Sequence, residues 1–235
     1  MKTKLYRLYA GFRNALYKNK VILRIYAFFR SDIPDKRASR KLKKYGYDDL
    51  TLLSRTMKEA NIQCFCDFGT LLGITREGAF IPYDNDIDTG ILKDESFSWE
   101  KLETVLAKIG LKKKYYYSYQ GEITEQTYLF ADGISVDFFL YEAEKEDKMR
   151  TYVYYKNHDM IYDNDHIRSV KALIYPQIDG LQEISFHNCN ALIPTNAEKR
   201  LEDIYGKGWK VPEPGYQPDR KQNIMPELGE KHIVK

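Results

Sequence analysis

Residues 65–88 read Phe65-Cys66-Asp67-Phe68-Gly69-Thr70-Leu71-Leu72-Gly73-Ile74-Thr75-Arg76-Glu77-Gly78-Ala79-Phe80-Ile81-Pro82-Tyr83-Asp84-Asn85-Asp86-Ile87-Asp88. How this stretch divides decides the fold. Ile62 to Phe68 is a short apolar run and reads as a buried strand. Gly69-Thr70-Leu71-Leu72-Gly73 then reads as a tight turn into a short helix. Ile81-Pro82-Tyr83 leads into a second strand, Asp86 to Leu92. Asp86 and Asp88 are two apart in that strand, so both carboxylates leave one face with their Cα atoms roughly 6–7 Å apart. Acids that close repel each other when ionised. Most Asp-x-Asp pairs are solvated turns, but the apolar flanks Ile81, Ile87 and Ile91 argue against one here. The usual remedy for such a pair is a divalent cation, and Mg²⁺ favours a few carboxylate oxygens completed by water and substrate phosphate.

Two further features bear on this pair. A strand that ends in Gly69-Thr70 and opens a helix presents backbone N–H groups that bind phosphate, with the helix dipole adding to the attraction. A plain threonine cap reads equally well from those two residues alone. The other feature is Asp137, a lone acid in Ile134-Ser135-Val136-Asp137-Phe138-Phe139-Leu140. An unpaired carboxylate in so apolar a strand is expensive. A metal shared with Asp86 and Asp88 would relieve it, and so would an arginine or an exposed edge position.

Outward from this centre, a helix is expected over residues 36–60, with Leu42, Tyr45, Leu52, Leu53, Thr56 and Ala60 on its buried stripe, Gly46 weakening it and Asn61 ending it. A second helix is expected over 98–109. Strands are expected over 112–119, 125–130, 134–141 and 150–156, with Gly121, Asp132-Gly133 and the charged run 142–148 as turns. Residues 157–180 carry no clear period. Short strands at 181–187 and 191–193 precede a helix capped by Asn196 and stopped by Gly206. The proline-rich tail from Val211 reads as irregular. The order of elements indicates one α+β domain, 36–235, around a central mixed sheet flanked by helices.

The 235 residues suffice for one sizeable core, and a composition of 43% hydrophobic and 30% charged residues excludes a mostly disordered chain. The 20 tyrosines read mainly as strand and half-buried positions. Cys64 and Cys66 lie on one strand face, too close for an ordinary disulfide. With the only other cysteine, Cys189, they read as buried thiols in a reducing compartment rather than a zinc site. The histidines His158, His166, His187 and His232 form no ligand pair.

Charge is uneven. Residues 1–44 hold 14 Lys/Arg against Asp32 and Asp35, a net +12, so the overall +3 leaves −9 for the rest. Leu5, Leu8, Tyr9, Phe12 and Leu16 fall on one helical stripe. Residues 1–35 therefore read either as a peripheral anchor on an anionic membrane surface or as an amphipathic helix packed on the domain. No apolar run is long enough to span a bilayer, and no nucleic-acid motif accompanies the basic charge.

Taken together, residues 65–88 resemble the signature of the LicD/fukutin-related family, whose Gly-Thr-Leu-Leu-Gly turn, arginine and Ile-Pro-aromatic-Asp-x-Asp-Ile-Asp block they match. Val136-Asp137-Phe138-Phe139 resembles its third-acid strand, and Pro194, Leu201, Tyr205-Gly206, Trp209 and Pro212 its C-terminal element. Tyr83 stands where a tryptophan is usual and Asn85 where an aspartate is common. The resemblance implies a nucleotidyltransferase-like fold and a phosphotransferase. Such an enzyme moves phosphocholine, ribitol phosphate or glycerol phosphate from a CDP-alcohol donor to a glycan or lipid-linked glycan acceptor. It further implies Mg²⁺, with Mn²⁺ as a substitute, at Asp86, Asp88 and Asp137. It places substrate phosphate at Gly69, Thr70 and Arg76, leaves Asp84 supporting the metal, and puts Asp67 against substrate or acceptor. A cytoplasmic enzyme at the inner face of the membrane fits that acceptor. Nucleotidyl transfer with release of pyrophosphate, and a non-catalytic glycan- or nucleotide-binding protein, are the alternatives.

Overall fold

The computed structural model describes residues 36–155, 167–212 and 224–234. The chain divides into compact units at 1–36 and 37–235. The expected N-terminal anchor, His158 and His166 lie outside the described residues.

Helix α1 spans Lys36–Glu59 and buries Leu42, Leu50, Leu53 and Met57 at helical spacing. Gly46 does not break it. A Cβ there would lie 2.7 Å from Leu42 Cδ1 and 3.1 Å from the Phe80 ring, so the glycine makes room for packing. Asn61, at φ 51°, ends the helix by turning left-handed. Strand β1 (Cys64–Cys66), helix α2 (Phe68–Glu77) and strand β2 (Asp86–Leu92) follow. Phe68 belongs to the helix and not, as expected, to the strand. Helix α3 (Trp99–Lys108) is capped by the Ser98 hydroxyl, which accepts from the Lys101 N–H at 3.1 Å.

The next elements are β3 (Lys112–Tyr119), β4 (Glu122–Leu129), β5 (Ser135–Glu144), β6 (Lys148–Tyr155), β7 (Ile167–Pro176), β8 (Leu181–Phe186) and β9 (Cys189–Pro194). Helix α4 (Ala197–Tyr205) and strand β10 (Ile224–Ile233) complete the chain. One eight-stranded sheet runs β1-β2-β5-β4-β3-β10-β7-β6, and β8 and β9 form a separate hairpin. The sheet is mixed because β2 and β5 are parallel while the remaining pairs are antiparallel. The far end of β5, Glu142–Glu144, also pairs with β6, which closes β5-β4-β3-β10-β7-β6 into a ring. Closure removes the open edges those strands would otherwise present.

The structure fills one gap and corrects one expectation. The unassigned stretch 157–180 contains β7, and the tail thought irregular supplies β10, which lies between β3 and β7. On one face of the sheet, Ile87, Ile91, Val136, Phe138 and Leu140 join the buried residues of α1 and α3 in the main core. The intervening residues of β2 and β5, the acids among them, face the other way.

Candidate active site

In the parallel β2–β5 pair Asp88 lies directly opposite Asp137 and Asp86 opposite Ser135. Asp86, Asp88 and Asp137 therefore share one face, and each is partly accessible. Asp84, just before β2, joins them. A Cβ on Gly69 would lie 2.9 Å from Asp84 Oδ2 and 3.0 Å from Asp88 Oδ2, so the missing side chain leaves space for both carboxylates.

The Gly-Thr turn acts on Asp88 itself. Gly69 N–H donates to Asp88 Oδ2 at 3.0 Å, and Asp88 N–H donates to Thr70 Oγ1 at 2.9 Å. Thr70, expected against a substrate phosphate, is fully buried, and its hydroxyl ties α2 to β2. Phe68, at φ 40°, puts a strained residue immediately before Gly69 and packs edge-on against Phe139 at 4.9 Å. The Thr127 hydroxyl of β4 donates to Asp137 Oδ1.

Electrostatically the cluster is only partly compensated. Burial, then Asp86, pushes Asp84 up to about 7. Burial raises Asp86, against the pull of Lys114 and its own backbone. Burial, then Asp86, Asp84 and Asp137, holds Asp88 well above the carboxylate range, with only the Gly69 N–H opposing. Burial, then Asp86, brings Asp137 to about 7 against Thr127, Lys114 and Lys231. Asp84 Oδ2 is buried without a hydrogen-bond partner. That orphaned oxygen, among acids that disfavour one another's charge, fits a cation. Among the described residues no three acid, histidine or cysteine side chains form a ready-made metal cage. Mg²⁺ does not need one, because it takes one or two carboxylates and completes its shell with water and phosphate.

Asp67 and Arg76, both expected against substrate, have partners within the protein. Asp67 is fully buried. Arg200 Nε donates to its Oδ1 at 2.8 Å, Arg200 Nη2 to its Oδ2 at 2.6 Å, and the Tyr141 hydroxyl to the same Oδ2 at 2.6 Å. Asp67 is thus an internal ion-pair partner. Arg76 donates to Glu77 Oε1 through Nε (3.2 Å) and Nη2 (2.7 Å), and through Nη1 to the Trp209 carbonyl at 3.4 Å. It ties α2 to the segment after α4.

Sequence reading missed Arg200, Tyr141 and Thr127. The guanidinium of Arg200 lies 4.9 Å from the Tyr141 ring and 5.0 Å from that of Tyr175. Asp67 N–H also bonds the Asp88 carbonyl at 3.1 Å, so the ion pair braces the strand that carries the acids. The cue for Arg200 was a lone arginine on the apolar side of α4, beside Ala197 and Leu201. His232 stacks on Tyr116 at 4.5 Å and lies 2.8 Å from the Ser118 hydroxyl, on the face away from the acids. Cys64, Cys66 and Cys189 are buried free thiols.

The description "LicD/FKTN/FKRP, nucleotidyltransferase domain" matches residues 61–196, more than half of the chain and the stretch holding all four acids. The chain belongs to this family. Its relatives within the family are distant. Ribitol-5-phosphate transferase FKTN of Mus musculus is 24% identical over 192 residues, which cover 79% of this chain and 38% of the relative. An uncharacterized protein of Rickettsia typhi is 26% identical over 106 residues, covering 45% of this chain and 31% of the relative. The chain thus spans about a third of the length of these curated relatives. Among solved structures, the lincosamide antibiotic adenylyltransferase LnuA in its lincomycin-bound form aligns with a TM-score of 0.41 at 12% identity, covering 66% of this chain and 82% of that one. The family match places the acids inside a nucleotidyltransferase domain and supports a phosphotransferase-type enzyme. Arg200 and β10 lie beyond the matched residues. No described helix is long and apolar enough to cross a membrane.

Proposed function

We propose that the chain transfers a phospho-alcohol from a CDP-activated donor to a hydroxyl of a cell-surface glycan or its lipid-linked precursor, with Mg²⁺ held by Asp86, Asp88 and Asp137. One observation carries this reading: four partly accessible acids converge, Asp86 raises the pKa of Asp84, Asp88 and Asp137, and the buried oxygen of Asp84 has no partner. When bound, the cation supplies positive charge to the donor diphosphate and to the leaving CMP.

The protein's own groups do the positioning. Gly69 N–H fixes one oxygen of Asp88 and Thr127 one oxygen of Asp137, which sets the planes of both carboxylates. In the reaction the acceptor oxygen bonds to phosphorus, the bond to CMP breaks, and the hydroxyl proton passes to a carboxylate. Asp84, outside the proposed ligand set and at about 7, has suitable strength for that proton. The relatives named ribitol-5-phosphate transferase favour ribitol phosphate as the first donor group to try.

Purified protein incubated with Mg²⁺ and CDP-ribitol, CDP-choline or CDP-glycerol should release CMP from one of them, and faster when an acceptor glycan is added. Pyrophosphate among the products would instead indicate nucleotidyl transfer. The basic stretch 1–35 is proposed to hold the enzyme at an anionic membrane. Deleting residues 1–30 should release it from anionic vesicles, and continued sedimentation with them would exclude the anchor.

A further inference from the structure

The row of side chains that starts at Asp88 continues well past Asp137. Asp88 lies opposite Asp137, Asp137 opposite Thr127, and Thr127 opposite Tyr115, so β2, β5, β4 and β3 present these four residues on one face. One step along the strands, on the same face, Glu125 lies opposite Tyr117 and Tyr117 opposite Lys231 of β10. The Lys231 ammonium leans back toward the first row. It lies 3.8 Å above the Tyr115 ring and 5.5 Å from that of Tyr117. The register of β3 slips by one residue between Lys113 and Tyr115. Such a bulge re-aims the extra side chain, and the Lys114 ammonium lies 5.4 Å from the same Tyr115 ring.

An acidic site therefore ends in a positive wall. Both lysines act on Asp137, Lys114 also on Asp86, and Lys231 on the buried Glu125. Beyond opposing these acids, the metal reading gives the two cations no further task. Their place does suggest one. The donor diphosphate and its leaving nucleotide belong with Asp86, Asp88 and the Gly69 turn, at one end of the row. In-line displacement brings the attacking hydroxyl from the opposite side, which is the side of Asp137, Tyr115 and Lys231. Tyrosine rings there offer apolar faces to a sugar or polyol, while an ammonium selects a charged group.

We infer that Lys114, Tyr115 and Lys231 form an acceptor subsite for an anionic polyol or sugar, one that carries a phosphate monoester or diester close to the hydroxyl that attacks. The inference rests on the transferase reading above and names the class of acceptor. It also gives the C-terminal strand, which lies outside the family match, a part in the site.

Glycerol 3-phosphate and glycerol serve as a charged and a neutral probe of equal carbon skeleton, titrated calorimetrically into full-length protein with Mg²⁺ and CDP present. The binding of CDP itself is measured separately. Wild-type protein should bind glycerol 3-phosphate saturably and glycerol at least tenfold more weakly. Lys231→Met and Lys114→Met keep most of the aliphatic stem. Each should weaken glycerol 3-phosphate about tenfold, the worth of one charged contact, and change CDP affinity less than twofold. Lys231→Arg should retain binding. Should Lys231→Met fail to fold, the exposed Lys114 and the arginine variant decide the matter. Equal binding of the two probes, or unchanged anion binding in the variants, would overturn the subsite. Weakened CDP binding in the lysine variants would assign these residues to the donor and also overturn it. Failure of the wild type to bind CDP at all would count against the donor reading, independently of the probe result.

Discussion

Two groups of buried aspartate lie side by side in this molecule and have opposite surroundings. Asp67, at the end of β1, has both oxygens bound, by Arg200 and Tyr141, and is fully buried. Asp84, Asp86, Asp88 and Asp137, on and beside the neighbouring strands, are partly accessible, repel one another, and include an oxygen with no partner. A chain that neutralises one buried acid this thoroughly leaves four others only partly compensated. The first arrangement holds structure together. The second carries an electrostatic cost that a bound cation would relieve, and such a cost is a common mark of function.

The largest effect that would break this contrast is expected at Asp88. Asp88→Asn should lower CMP release by about 10²–10³-fold or more, the size found when one electrostatic group of an active site is removed. Its thermal stability at neutral pH should hold or rise, because asparagine need not bind a proton to be buried among the other acids. Undiminished turnover in the folded variant would remove the metal mechanism.

Arg200→Met should show the reverse. It leaves Asp67 charged and unpaired in the core, at a cost of about 3–5 kcal/mol, read as a lower urea midpoint. Adding Asp67→Asn should return part of that loss, since the uncompensated charge is then absent. An additive double variant would mean that the two groups do not act as a pair.

The pH dependence sharpens the comparison. Asp84 and Asp137 titrate at about 7 in the folded chain against an ordinary 3.8. Folded protein therefore binds protons that the unfolded chain releases. The stability from these groups is complete below about pH 4 and is lost as pH rises through about 7. Metal-free protein should melt at a lower temperature at pH 8 than at pH 5, and Mg²⁺ should recover much of the difference at pH 8. A melting temperature that climbs over this interval without metal would contradict the burial of these acids.

The smallest effect is expected at Gly69. Alanine favours a helix over glycine by up to about 1 kcal/mol, yet a Cβ here would press on Asp84 and Asp88 at 2.9 and 3.0 Å. Gly69→Ala should keep or gain stability while activity falls about tenfold. Full activity would mean that the two carboxylates need not approach the turn.

Much of the site was legible because its signals are local. Strand 86–92 alternates around apolar residues, and Asp137 stands out in an apolar run. The strand expected over 112–119 and the helix expected over 98–109 needed only their own periodicity and a serine cap. The ring was not legible. β10 contains Pro226, Gly229, Glu230 and Lys231, poor strand formers on their own account. It becomes a strand because β3 and β7 flank it, and its register shifts between Ile224 and Leu228. At Gly229 an added Cβ would lie 2.4 Å from the Tyr154 ring and 2.6 Å from Val170, so the glycine that argues against a strand in sequence is what lets the neighbours pack. Arg200 and Asp67 are 133 residues apart, and no spacing rule links them.

Asp86, Asp88 and Asp137, with Asp84 beside them, are proposed to hold a divalent cation. Calorimetric titration of Mg²⁺ into the full-length protein at pH 7.5, with CDP present, tests it most directly. Saturable binding by the wild type, abolished in Asp88→Asn and retained in Gln for Glu77 at the surface (Glu77→Gln), is the predicted result. Equal Mg²⁺ binding by wild type and Asp88→Asn, or none by the wild type, would contradict it.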